Sequence, residues 1–190
     1  MMVKNITMGW FGTTHNRITQ KVLWELKNKT DNEFMKELLS YINEPDQGLP
    51  KNLVNHIQTP EGYGKAKEMI VKCFNTGTTR SLAHAIHYTQ DLCNPLHTVK
   101  DYPIDKHIVY ELMISNVEFE FIPGKVLMFP NGIENGIDSI VLYSNMQFPD
   151  LKRAIDNYTI DYIMKISKAS LSMAAYSTYG LINIYLDNRV

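Results

Sequence analysis

The stretch HAIHYTQDLCNPLHTVKDYPIDKHIVYE, residues 84–111, gathers four of the chain's six histidines. Two of them are followed by an acid at the same offset: Asp91 stands four residues after His87, and Glu111 four after His107. Four residues is close to one helical turn, so on a helix each pair shares a face. A surface ion pair would satisfy either pair alone. Two such pairs with His97 between them point instead to convergence on metal. That convergence requires several helices to aim side chains at one place, which is the strongest demand this sequence makes on its fold.

The surrounding segments carry the helical period that such a fold needs. In HNRITQKVLWELKN (15–28), Ile18, Val22, Leu23 and Leu26 recur at three- and four-residue steps and mark one buried face. DNEFMKELLSYI (31–42) opens on Asp31, a helix-capping residue, and places Phe34, Leu38 and Ile42 on one side. PEGYGKAKEMIVKCF (60–74), TTRSLAHAIHYTQDL (78–92) and IDKHIVYELMI (104–114) read the same way, the second opening on threonines that can cap. FEFIPGKVLMFPNGIENG (119–136) breaks the pattern, because Pro and Gly punctuate short apolar runs there; a loop or small hairpin is expected. From residue 148 to the C-terminus the helical period returns.

A chain of 190 residues suits one domain with a substantial core, and no repeat or linker divides it. The expected fold is all-α, a single-domain multi-helix bundle with a metal cluster in a cleft. With 44% hydrophobic and 21% charged residues the composition is that of an ordinary globular protein. The formal net charge of −1 supplies no long-range attraction to nucleic acid or anionic membrane. Cys73 and Cys93 make no disulfide framework and are expected as buried free thiols. Residues 166–186 are apolar, but Lys168 and several hydroxyls interrupt them, so they read as a buried helix and not as a transmembrane segment. No signal peptide heads the chain, which places the protein in the cytoplasm as given; a leader removed beforehand would make it secreted.

Imidazoles and carboxylates offered together favour zinc and admit iron or manganese. Adjacent His-Asp, as an HD-type phosphohydrolase needs, does not occur, and neither does the Glu-x-x-His of di-iron oxidases. With GWFGTTHNRIT (9–19) and NEPDQGLPKNLVNHIQTP (43–60) added, the order becomes Trp10, His15, Asp46, His56, His87, Asp91, His97, His107, Glu111. That order resembles the zinc-dependent phospholipase C and S1/P1 nuclease superfamily over residues 10–111, and five of the six histidines fall on it.

The resemblance implies a domain over residues 10–190 preceded by an extension, 1–9. It implies Asp46, His56, His87 and Asp91 as ligands of one zinc, and His97, His107 and Glu111 as ligands of a second. Trp10 and His15, with Asp91 bridging, would hold a third. In the family the Trp is the mature N-terminal residue and binds through its backbone amine and carbonyl. Here MMVKNITMG precedes it, so two or three ions are implied according to whether the extension is removed.

The implied activity is phosphodiester hydrolysis, with Asp46 orienting or deprotonating the attacking water. Glu111 as the final acid, and the short steps from Asp46 to His56 and from His97 to His107, are similar to the bacterial phospholipase C branch. The close Trp10 to His15 spacing is similar to the nuclease branch. A phospholipid or another small phosphodiester is the expected substrate. Nucleic acid is the alternative, and a metal-stabilised binding protein without turnover is the non-enzymatic one. His84 is expected outside the ligand set, Asp101 and Asp105 as solvated, and Tyr88 and Tyr110 as packing beside ligands.

Overall fold

The computed structural model describes residues 12–46, 62–99, 102–125 and 128–188. Among them are seven α-helices and no strand: α1 (Gly12–Glu25), α2 (Asn32–Tyr41), α3 (Gly62–Asn75), α4 (Thr79–Leu92), α5 (Ile104–Ile114), α6 (Ile133–Asp156) and α7 (Ile160–Asp187). Two short 3₁₀ turns, Glu44–Asp46 and Pro95–Thr98, lie between them. The protein is therefore an all-α bundle.

The helix starts follow from side-chain chemistry. The Asp31 carboxylate accepts the Phe34 N–H at 2.7 Å and so satisfies one of the donors that the first turn of α2 leaves open. Thr78 and Ser81 form a reciprocal capping box at the head of α4. Asn94 accepts the Leu96 N–H at 3.0 Å and starts the second 3₁₀ turn, with Pro95 in its first position.

Helix α4 is the hub, packed against α2, α3 and α7 and buried along nearly its whole length. Leu82, Ile86 and Leu92 join Ile18, Leu38, Ile70, Leu171 and Leu181 in one core. Helix α7 crosses the core on small residues, Ser170, Ala174, Ser177 and Thr178, which let α1 and α4 approach. The hydroxyls of Ser177 and Thr178 donate to carbonyls four residues back, at 2.9 and 2.8 Å, so their burial leaves no donor stranded. Cys73 and Cys93 are free and buried, and burial pushes the Cys93 thiol up to about 12. No described helix is long and apolar enough to cross a membrane.

Helix α6 begins well before the periodicity at residue 148 and runs through Pro149. An interior proline removes a backbone donor and costs about 3 kcal/mol. The buried stripe Ile137, Ile140, Val141, Ser144, Leu151 and Ala154 continues past it, and burial of that stripe outweighs the loss.

The irregular segment before α6 is anchored by buried rings, Phe119, Phe121 and Phe129. Phe129, in the left-handed region at φ 62°, is buried against Gly136 of α6 and Gly180 of α7. A Cβ at position 136 would fall 2.0 Å from the Phe129 ring, and one at 180 would fall 2.9 Å from it. Gly136→Ala is therefore expected to destabilise the fold by about 1–3 kcal/mol through overpacking, read as a lower urea midpoint. An unchanged midpoint would mean that the ring is not confined there.

Candidate metal centre

Seven of the nine residues in the resemblance lie among the described residues; Trp10 and His56 lie outside them. His15 comes from α1, Asp46 from the first 3₁₀ turn, and His87 and Asp91 from successive turns of α4. His97 comes from the second 3₁₀ turn, and His107 and Glu111 from α5. All seven residues are inside the bundle, none more than 5% exposed.

Six of them form two groups whose possible ligand atoms lie within 4.8 Å of one another: His15, His87 and Asp91, then His97, His107 and Glu111. Asp91 addresses two neighbours with different oxygens. Its Oδ1 is 3.3 Å from His15 Nε2, and its Oδ2 is 3.5 Å from His87 Nε2. Asp46 Oδ1 reaches the same His87 nitrogen at 3.4 Å. In the second group the Nε2 atoms of His97 and His107 both sit 2.9 Å from Glu111 Oε1. Only 3.9 Å separates His97 Nδ1 from Asp91 Oδ1, so the two groups are neighbours.

The imidazoles are oriented by bonds on their far sides. His87 Nδ1–H donates to the Ile42 carbonyl at 2.8 Å, which leaves Nε2 to face Asp46 and Asp91. His15 Nδ1 meets Gln90 Oε1 at 2.7 Å, which leaves its Nε2 to face Asp91. A ring that gives one N–H to an oxygen and presents the other nitrogen inward is the arrangement that metal-binding histidines use. Imidazole with carboxylate, closely set and buried, is a donor set that fits a divalent ion. These two groups can each hold a metal ion.

Electrostatics describes the same cluster with protons in place of metal. His15 and His87 stack with centroids 3.9 Å apart at 27°, too close for both to carry charge comfortably. Burial opposes charge on His15, but the hydrogen bond and charge of Asp91, with Asp46, more than offset it and raise its pKa. Burial and the neighbouring His15 charge together lower that of His87. For Glu111, burial favours the neutral acid, yet hydrogen bonds from His107 and His97 prevail and hold its pKa below the usual carboxylate range.

The other expected residues fall outside both groups. His84 Nε2 pairs with Glu44 Oε2 at 3.0 Å, at the partly exposed edge where Glu44 also meets Arg80. Asp105 is exposed, and Asp101 lies outside the described residues. Tyr88 packs edge-on to the His87 ring, with centroids 5.6 Å apart. Tyr110 is buried and accepts from Ser167 Oγ at 3.1 Å. Gln90 and Asn94 touch the cluster without having been singled out by sequence. Asn94 Nδ2 donates to Glu111 Oε1 at 3.3 Å, and the Asn-Pro step at 94–95 was a local sign of its capping role.

Comparison of the chain with protein-family models, with curated proteins and with solved structures returned no match.

Two outcomes follow from the geometry. Stripping metal with a chelator should lower the thermal midpoint, and restoring a divalent ion should raise it, by about 2.7 kcal/mol of stability at one hundred times Kd. A midpoint indifferent to both treatments would remove metal from the account. In the metal-free protein, Glu111 has a folded pKa below its ordinary value of 4.5. Its ionised form therefore stabilises the fold fully above that pH, and the benefit is lost as pH falls through the lower folded value. The stability difference between wild type and Glu111→Gln should accordingly stay constant above pH 4.5 and shrink below it; a difference that grew on acidification would reverse the sign.

Proposed function

We propose that the protein is a zinc-dependent phosphodiester hydrolase, closest in kind to the bacterial phospholipase C branch of the superfamily its ligand order resembles. The observation that carries this reading is Asp91, one carboxylate shared between His15 on one oxygen and His87 on the other, with His97 close by. A single structural ion needs no such shared group, whereas neighbouring ions acting on one phosphate do.

The residues present suit zinc in both groups: His15, His87 and Asp91 with Asp46 beside them, and His97, His107 and Glu111. Zinc held there supplies Lewis acidity to phosphoryl oxygens and brings the pKa of water down to about 7. Two divalent ions would more than balance the three carboxylates Asp46, Asp91 and Glu111. The pocket would then be positive overall, which suits an anionic phosphodiester. The apolar bundle around these residues keeps the effective dielectric low and strengthens every charge interaction within.

Asp46 has a task different from that of the other acids. It enters from a short 3₁₀ turn at the edge of the cluster, 3.4 Å from His87 Nε2. From that edge its carboxylate can orient the attacking water or take its proton. In a three-ion arrangement, with residues 1–9 removed, His15 would instead serve a third ion with Trp10 and Asp91, which lies 3.3 Å from it, leaving His87, Asp91 and Asp46 to the first.

A chromogenic phosphodiester tests the reading directly. Wild type should hydrolyse it, Asp46→Asn should keep its zinc but lose about 10²–10⁴-fold in kcat, and His87→Ala should lose both zinc and turnover. A wild type inert with zinc fully loaded would leave a metal-stabilised binding protein. Phosphatidylcholine vesicles and single-stranded nucleic acid in the same assay distinguish the phospholipase-like from the nuclease-like substrate.

A further inference from the structure

We infer that Gln90 is the positioning residue of the His15 group, and that it fixes which nitrogen of His15 is offered to metal. The inference rests on the metal-centre reading above and deepens it.

The chain of hydrogen bonds begins in α7. The Thr178 hydroxyl donates to the Ala174 carbonyl at 2.8 Å, so its proton is committed and its oxygen can only accept from other neighbours. Gln90 lies 2.9 Å from that oxygen and 3.1 Å from Thr19 Oγ1, through the same amide atom. Only an NH₂ group can satisfy the Thr178 contact, so the amide nitrogen faces the two threonines and the carbonyl oxygen must face the other way. That oxygen meets His15 Nδ1 at 2.7 Å and can only accept. A proton therefore resides on Nδ1, and Nε2, 3.3 Å from Asp91 Oδ1, is the nitrogen that would exchange its proton for metal.

All four side chains, Thr178, Thr19, Gln90 and His15, are fully buried, so water does not compete for any of these bonds. They belong to α7, α1 and α4, and the chain of bonds ties the tautomer of one ligand to the packing of three helices. The His97 group is supported differently among the described residues: Asn94 donates to Glu111. Loss of Gln90 should therefore weaken one group and spare the other. Gln90→Glu retains an oxygen against His15 Nδ1, whereas Gln90→Leu keeps the approximate size and removes that oxygen.

The test is zinc titration of the full chain against a chromogenic chelator. Wild type should show at least two ions, and Gln90→Leu should weaken one class of site about 10–100-fold while the other stays near wild type. Gln90→Glu, which keeps an acceptor against His15 Nδ1 but loses the N–H donated to Thr178 and Thr19, should weaken that class less than Gln90→Leu does. In zinc-loaded wild type, the long-range ¹H–¹⁵N spectrum should place the His15 ring proton on Nδ1, a readout that holds even if the leucine variant does not fold. A His15 proton on Nε2, or Gln90→Leu with both classes at wild-type affinity, would overturn the inference while leaving the hydrolase reading intact. A wild type that takes up no zinc would overturn both.

Discussion

Three carboxylates and four imidazoles buried together inside an apolar bundle are the constraint on which this structure depends. An isolated charge moved from water to a protein interior costs several kcal/mol even after relaxation. The cluster therefore has to be neutralised by something that the chain itself does not fully supply. In the absence of metal, burial opposes charge on His15 while Asp91 and Asp46 raise its pKa, burial and the His15 charge lower that of His87, and hydrogen bonds from two imidazoles hold Glu111 below the usual carboxylate range. With metal, those inward-facing nitrogens and oxygens would exchange protons for cations. Folding and metal uptake would then be linked, because the same buried atoms would serve both states.

The fold was legible where local chemistry decides it. Asp31 and Thr78 are capping residues by type, and both cap helices in the structure. The period in IDKHIVYELMI marks a helix, and α5 spans that segment. Helix α6 was less visible because Pro149 and the exposed Leu142, Tyr143 and Met146 blur its apolar stripe. Its buried face is defined by α7, the next helix, and by the turn that carries His97, which is remote from it in sequence. The pinning of Phe129 between Gly136 and Gly180 was equally hidden, because two glycines 44 residues apart form one slot.

The centre divides along the same line. His87 with Asp91 and His107 with Glu111 were readable because helical spacing alone puts each pair on one face. His15 and Asp46 were reachable only through the order of residues that the superfamily resemblance supplied, since no local pattern ties α1 or the first 3₁₀ turn to α4. The structure brings both to the cluster. Gln90 had no readable signal. Its role exists only because Thr19 and Thr178, 71 and 88 residues away, reach the same amide.

The two groups are consequently held in different ways. The first hangs on tertiary contacts: His15 through Gln90 to α7, and His87 through the Ile42 carbonyl at the end of α2. The second is largely local. Asn94 caps the turn that carries His97 and also donates to Glu111, so a short stretch with a proline in its first turn position sets the geometry. A locally built group can keep its shape when distant helices loosen, whereas one built across α1, α2, α4 and α7 opens with them. Asp91 sits where the two meet, 3.3 Å from His15 and 3.9 Å from His97. Any charge placed in one group is therefore felt in the other, and the shared carboxylate makes the local group and the tertiary group a single electrostatic unit.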